Sequence, residues 1–139
     1  MSSFKIFDIA GSGMSAESVR LNTTASNLAN ADSVGSDPTK VYRARHPVFE
    51  AVRAGLAGKG DKGSAAVRVN GIVENQAAAS ARYEPGNPLA DKDGYVYAPN
   101  VNVVEEMVDM ISASRSYQNN VEVMKTSRDL MLATLRLGS

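Results

Sequence analysis

The sequence predicts a mainly α protein in which long N- and C-terminal helices pair as a coiled coil, with a small β-leaning, loop-rich insert strung between them. Three observations predict it. Seven-residue periodicity runs through both ends; no Pro or Gly interrupts the stretch from Asn102 to Leu137; and the Gly, Pro and Asn residues that punctuate turns collect in the middle. The expected division is residues 1–34 and 101–139 for the helical core domain and 35–100 for the insert.

In the N-terminal stretch from Phe4 to Ala31, Phe7, Met14, Leu21 and Leu28 are seven apart, and Gly11, Ser18 and Ala25 follow the first three by four. Large residues thus alternate with small ones along one face, a surface on which another helix can lie closely. Gly11 and Gly13 each cost about 1 kcal/mol relative to Ala in a helix interior, so this helix is marginal alone. From Ala29 to Pro38 the chain turns to loop chemistry.

The insert opens with Val41 to Val52, where imperfect alternation and Pro47 predict an edge or bent strand. Gly55, Gly58, Gly60 and Gly63 mark residues 54–66 as a flexible loop. Val67 to Val73 reads as one strand, or as two short ones bent at Asn70–Gly71. Gln76 to Arg82 is open between helix and strand. Two turns follow over Tyr83 to Pro88, and Asp91 to Gly94 forms a turn that opens a short strand at Tyr95.

The C-terminal stretch carries Val103, Met110, Tyr117, Met124 and Met131 at seven-residue spacing, with Met107, Ser114, Val121, Arg128 and Leu135 as a second series four positions on. The polar Ser114 and Arg128 either set register and partner or show that the seam is narrower. Asn102 suits an N-cap with Glu105 as its capping-box partner. Glu105, Glu106 and Asp109 complement the positive end of the dipole and Arg136 the negative end. One helix of about 36 residues, roughly 54 Å long, is expected. A chain of 139 residues is too short to wrap such a rod by itself.

Composition narrows the chemistry. The formal net charge is zero, aromatics are 6%, and there is no Cys, no Trp and a single His. The absence of Cys removes disulfides, thiolate metal sites and a Cys nucleophile. No run of 18 apolar residues spans a membrane, and the N-terminus lacks a secretory h-region. Export, if it occurs, takes another route. Asp91, Asp93 and Gly94 resemble the start of a calcium loop without its remaining oxygen ligands. His46 has no acidic or Cys partner at ligand spacing. Between residues 37 and 72, seven Lys or Arg stand against three acids, an excess of four, but no nucleic-acid motif accompanies them. No base and nucleophile pair stands out, so no enzyme, cofactor or metal is expected.

Several blocks together resemble the bacterial flagellar axial proteins, and among them a proximal rod subunit. Asn27, Ala29, Asn30 and Ser33 lie in a segment similar to the N-terminal motif of rod and hook proteins. Tyr42-Arg43-Ala44-Arg45 with Val48-Phe49-Glu50 is similar to the next block. The most specific likeness is Tyr83, Pro85, Gly86 and Pro88, followed by Gly94, Tyr95, Pro99 and Asn100, then Glu105-Glu106-Met107 and Ser114 to Asn120. The polar Ser36 after Gly35 departs from the aromatic that many axial proteins carry there.

The resemblance spans nearly the whole chain. It implies a structural subunit exported unfolded through the flagellar type III apparatus without a cleaved signal peptide, and assembled in the periplasm. Its implied partners are copies of itself, other rod proteins and ring or export-gate-adjacent basal-body proteins; no nucleic acid or membrane span is implied. Subunit contacts are expected at Phe7, Met14, Leu21, Leu28, Met107, Met110, Tyr117, Val121, Met124, Met131 and Leu135. The alternatives are another rod or hook protein, or a coiled-coil adaptor binding one regulatory partner.

Overall fold

A computed structural model describes residues 3–53 and 65–137. The order is α1 (Ser3–Asn30), β1 (Arg45–Arg53), β2 (Ala65–Glu74), β3 (Ser80–Tyr83), β4 (Tyr95–Ala98) and α2 (Val103–Leu137). The protein is mainly α, with two small antiparallel sheets. Most of the expected glycine-rich loop lies outside the described residues; its last two positions, Ala65 and Ala66, open β2.

α1 and α2 run antiparallel along each other. A Cβ placed on Gly11 would sit 3.8 Å from the end of Met124, and one on Gly13 only 2.9 Å from the Asn120 amide. Farther along, Arg20 donates to Asp109 at 2.7 Å and Asn27 to Glu106 at 2.9 Å. Glycine in α1 therefore trades intrinsic propensity for closeness of approach, and α2 supplies the support that α1 lacks alone. α2 is the longer helix by seven residues, about 10 Å. Its last turns, with Leu130, Leu135 and Leu137, are exposed.

Asn102 caps α2: its Oδ1 accepts from the backbone N–H of Val104 at 3.1 Å and of Glu105 at 3.4 Å. The return bond from the Glu105 side chain that a capping box requires is absent among the described residues. α1 closes through Asn30, whose carbonyl accepts from both the backbone and the hydroxyl of Ser33.

β1 and β2 form a hairpin with Arg45 opposite Glu74 and Glu50 opposite Arg68, and both pairs are ion-paired at 2.9 Å. Pro47 sits in a two-stranded sheet, where every strand is an edge. β2 is continuous, and the irregularity anticipated at Asn70–Gly71 is a bulge. The hairpin leans on α1, where the Ser12 hydroxyl accepts from the backbone of Val67 at 3.1 Å. β3 and β4 pair from Ser80–Ala98 to Tyr83–Tyr95, and Gly35 adds a bridge to Tyr97.

The core is made of small residues: Ala10, Ala16, Ala44, Val96, Ala98 and Ala113, with Thr23, Thr24, Asn27 and Glu106 buried beside them.

Candidate assembly surfaces

Along α2 the residues nearest α1 belong to two interleaved seven-residue series. Met110, Tyr117, Met124 and Met131 of the first predicted series are half-buried, while its first member, Val103, is exposed. The companion series facing α1 is Glu106, Ala113, Asn120 and Ser127, three residues after Val103, not four. Met107, Val121 and Leu135 consequently lie outside the contact and are exposed; Ser114 is half-buried, and Arg128 is exposed and paired with Asp129. The inward companions are small or polar, so hydrophobic periodicity does not register them. On α1, Phe7, Met14, Leu21 and Leu28 are all half-buried, while Ser18 and Ala25 are exposed.

The outward face is where apolar side chains gather. Val104 is 70% exposed, Met107 53%, Val108 61% and Ile111 53%, a stripe at helical spacing near the start of α2. At the other end Leu135 is 65% and Leu137 90% exposed. Val104, Val108 and Ile111 escape the heptad reading because they lie between its two series.

Where the helices meet the insert, the centre is Asn27, which is fully buried. Its amide nitrogen donates to the Arg45 carbonyl and the Glu106 carboxylate, both at 2.9 Å. Its amide oxygen accepts from the Tyr42 hydroxyl at 2.8 Å and the Arg45 backbone at 2.9 Å. All four hydrogen-bonding positions of the side chain are filled. Glu106 is 3% exposed; its Oε1 also lies 3.9 Å from His46 Nε2, and its Oε2 has no partner among the described residues. The fold thus gives His46 the acidic neighbour that chain spacing does not. It also makes Glu106 a junction between α1, α2 and β1, a role that helix-dipole reasoning misses.

The other motif residues are architectural. The Asn100 side chain accepts from the Ala44 backbone and donates to the carbonyls of Asn75 and Ala77, tying the chain ahead of α2 to the insert. Gly94 has φ +84°, and a Cβ there would come within 2.9 Å of the Tyr83 ring and 3.3 Å of Pro85. Only glycine suits that turn. Tyr83 and Tyr95 meet edge to face at 5.3 Å. Pro99 is buried, whereas Ala29, Pro85, Gly86 and Pro88 are exposed.

Asp91 closes its own loop, accepting from the backbone of Tyr95 and Asp93 and from the Tyr97 hydroxyl. The Tyr95 N–H above all holds the Asp91 carboxyl below the usual carboxylate range, and Asp91 in turn raises the Tyr97 hydroxyl. No group of three or more His, Cys, Asp or Glu able to hold a metal occurs among the described residues.

A family model described as flagella basal body rod protein matches residues 7–35, and one described as flagellar basal body rod FlgEFG protein C-terminal matches 92–137. Over 99% of both chains the sequence is 54% identical to the flagellar basal-body rod protein FlgC of Escherichia coli and 53% identical to that of Salmonella typhimurium. The FlgC of Aquifex aeolicus is 42% identical over 96% of each chain. The chain belongs to the FlgC family of flagellar basal-body rod proteins.

It is accordingly a structural protein of the basal-body rod, not an enzyme. The two segments matched in this FlgC-family chain hold nearly all of α1, the β4 strand and α2. The hairpin and β3 lie between them, in the stretch that the FlgC relatives also cover. No helix among the described residues is long and apolar enough to cross a membrane.

Proposed function

We propose that the helical pair is the polymerising unit of this rod subunit, packing through coiled-coil contacts with other rod proteins and with its own copies into a helical tube around the export channel. Residues 1–34 and 101–139 form the packing domain in this reading, and residues 35–100 decorate it. The observation that carries it is the apolar surface the pair leaves uncovered: Val104, Met107, Val108, Ile111, Leu135 and Leu137 stay exposed, while polar and small residues take up part of the contact between α1 and α2. Contiguous apolar stripes on a soluble helix mark contact sites, and a head-to-tail contact that does not close generates a helical assembly.

Export through the flagellar type III apparatus before assembly fits the same chain. α1 is weak alone, and the residues it contributes to the core are small, so little apolar packing resists unfolding for passage. In the periplasm the rod would then meet ring and export-gate-adjacent proteins at its base.

The test is Met107→Asp and Leu135→Asp. Both positions are exposed, so the purified chain should keep its melting temperature, within about 0.5 kcal/mol in stability. Basal bodies isolated from cells carrying either variant should lack the subunit, and motility should fall with it. Normal incorporation of both would sink this reading.

A further inference from the structure

The hairpin contains a chemical site outside the helical faces proposed for assembly. Gly71 pairs with Val48 and Val69 with Phe49, so Asn70 is the extra residue of a bulge, without a cross-strand partner. Asn70 is exposed, and its side chain has no hydrogen bond among the described residues. The next residue, Gly71, has no Cβ, and nothing lies within 4 Å of where one would be. Asn70 is also the only Asn in the sequence that is followed by Gly. The other Asn residues sit in α1 or α2, as Asn22 and Asn119 do, or are held by their own side-chain bonds, as Asn75, Asn87, Asn100 and Asn102 are.

We propose that Asn70–Gly71 is a self-modifying site, where the Asn70 side chain closes onto the Gly71 nitrogen and ends as aspartate or isoaspartate. Solvent base removes the Gly71 amide proton, and the nitrogen bonds to Asn70 Cγ. The Cγ–Nδ2 bond breaks, and ammonia leaves after taking a proton from water. Water then opens the five-membered imide. Cleavage of the new N–Cγ bond gives aspartate; cleavage of the original peptide bond gives isoaspartate, with the main chain rerouted through Cβ and Cγ. No oxidant or cofactor enters the balance. Three features favour closure: a missing side chain at 71 opens the approach to the nitrogen, the bulge loosens the ladder, and exposure admits water. The product adds a negative charge two residues from Arg68, and the isoaspartyl form lengthens β2 by one main-chain carbon.

The experiment incubates the purified full chain in mildly alkaline buffer and follows each Asn by peptide mass spectrometry, with isoaspartate counted by methyltransferase labelling. Asn70 should convert at least about tenfold faster than Asn22, Asn75 or Asn119, since it alone is followed by glycine and its amide is held by no side-chain bond among the described residues. Gly71→Ala should slow it about tenfold or more with the melting temperature unchanged, because the added methyl meets open space in the fold but crowds the nitrogen. Conversion of Asn70 no faster than that of Asn75, or an unslowed Gly71→Ala chain, would overturn the proposal.

Discussion

Between α1 and α2, Gly13 leaves room for the Asn120 amide, Arg20 pairs with Asp109 and Asn27 bonds to Glu106. In the β3–β4 unit Tyr83 lies over Gly94, Tyr95 packs against Tyr83, and the Asp91 carboxylate accepts from two backbone N–H groups, while Val96 is fully buried. The β unit satisfies itself with local contacts, most of them within fifteen residues. The helical pair joins residues about 80 or more apart through polar groups beside half-buried Met and Leu side chains, and leaves a second set of apolar side chains exposed. One region thus closes on itself, and the other leaves hydrophobic surface exposed, which the proposed assembly would cover.

Breaking the polar junction should have the largest effect on the isolated chain. Asn27→Ala removes four hydrogen bonds, takes the hydrogen bond from the buried Glu106 carboxylate and leaves the Arg45 N–H without its acceptor, while the Tyr42 hydroxyl keeps only Ser26. A loss of about 3–5 kcal/mol is expected by chemical denaturation, with faster hydrogen exchange at both Arg45 and Glu106. A loss below about 1 kcal/mol would mean that the junction does not set the helix register.

Gly94→Ala probes the other region. It places a Cβ at φ +84° and within 2.9 Å of the Tyr83 ring, so about 1–3 kcal/mol should be lost. Helical circular dichroism should persist in this variant while the near-ultraviolet tyrosine signal changes. Equal disturbance of both signals would erase the distinction between the regions.

The smallest effect is expected on acidification. The folded Asp91 carboxyl titrates below its unfolded counterpart. Its contribution is therefore complete above the unfolded value, about pH 4, and is lost as pH falls through the lower folded one. Amide exchange at Asp93 and Tyr95 should quicken in that acid range before α1 and α2 respond, and Asp91→Asn should remove the step.

Several elements are legible without coordinates because their causes are local. Asn102 caps α2, Asp91 to Gly94 make a turn, and Pro47 restricts its strand to an edge, each through bonds or torsions within a few residues. The most specific motif, from Tyr83 to Gly94, is legible as turn chemistry for the same reason. Gln76 to Arg82 is ambiguous locally because its conformation depends on Asn100 holding the carbonyls of Asn75 and Ala77 from across the fold.

The sequence by itself determined that two long helices flank a short β insert, since periodicity, caps and turn residues act over one or two turns of chain. Only the tertiary structure decided which faces meet. Met107 and Glu106 are neighbours in sequence, and hydrophobicity favours Met107 as the inward residue. The fold turns Glu106 inward instead, because Asn27, 79 residues away, supplies its hydrogen bond and Gly13 and Ala113 let the backbones come close. Close approach and polar complementarity are properties of the pair of helices, and neither helix records them alone.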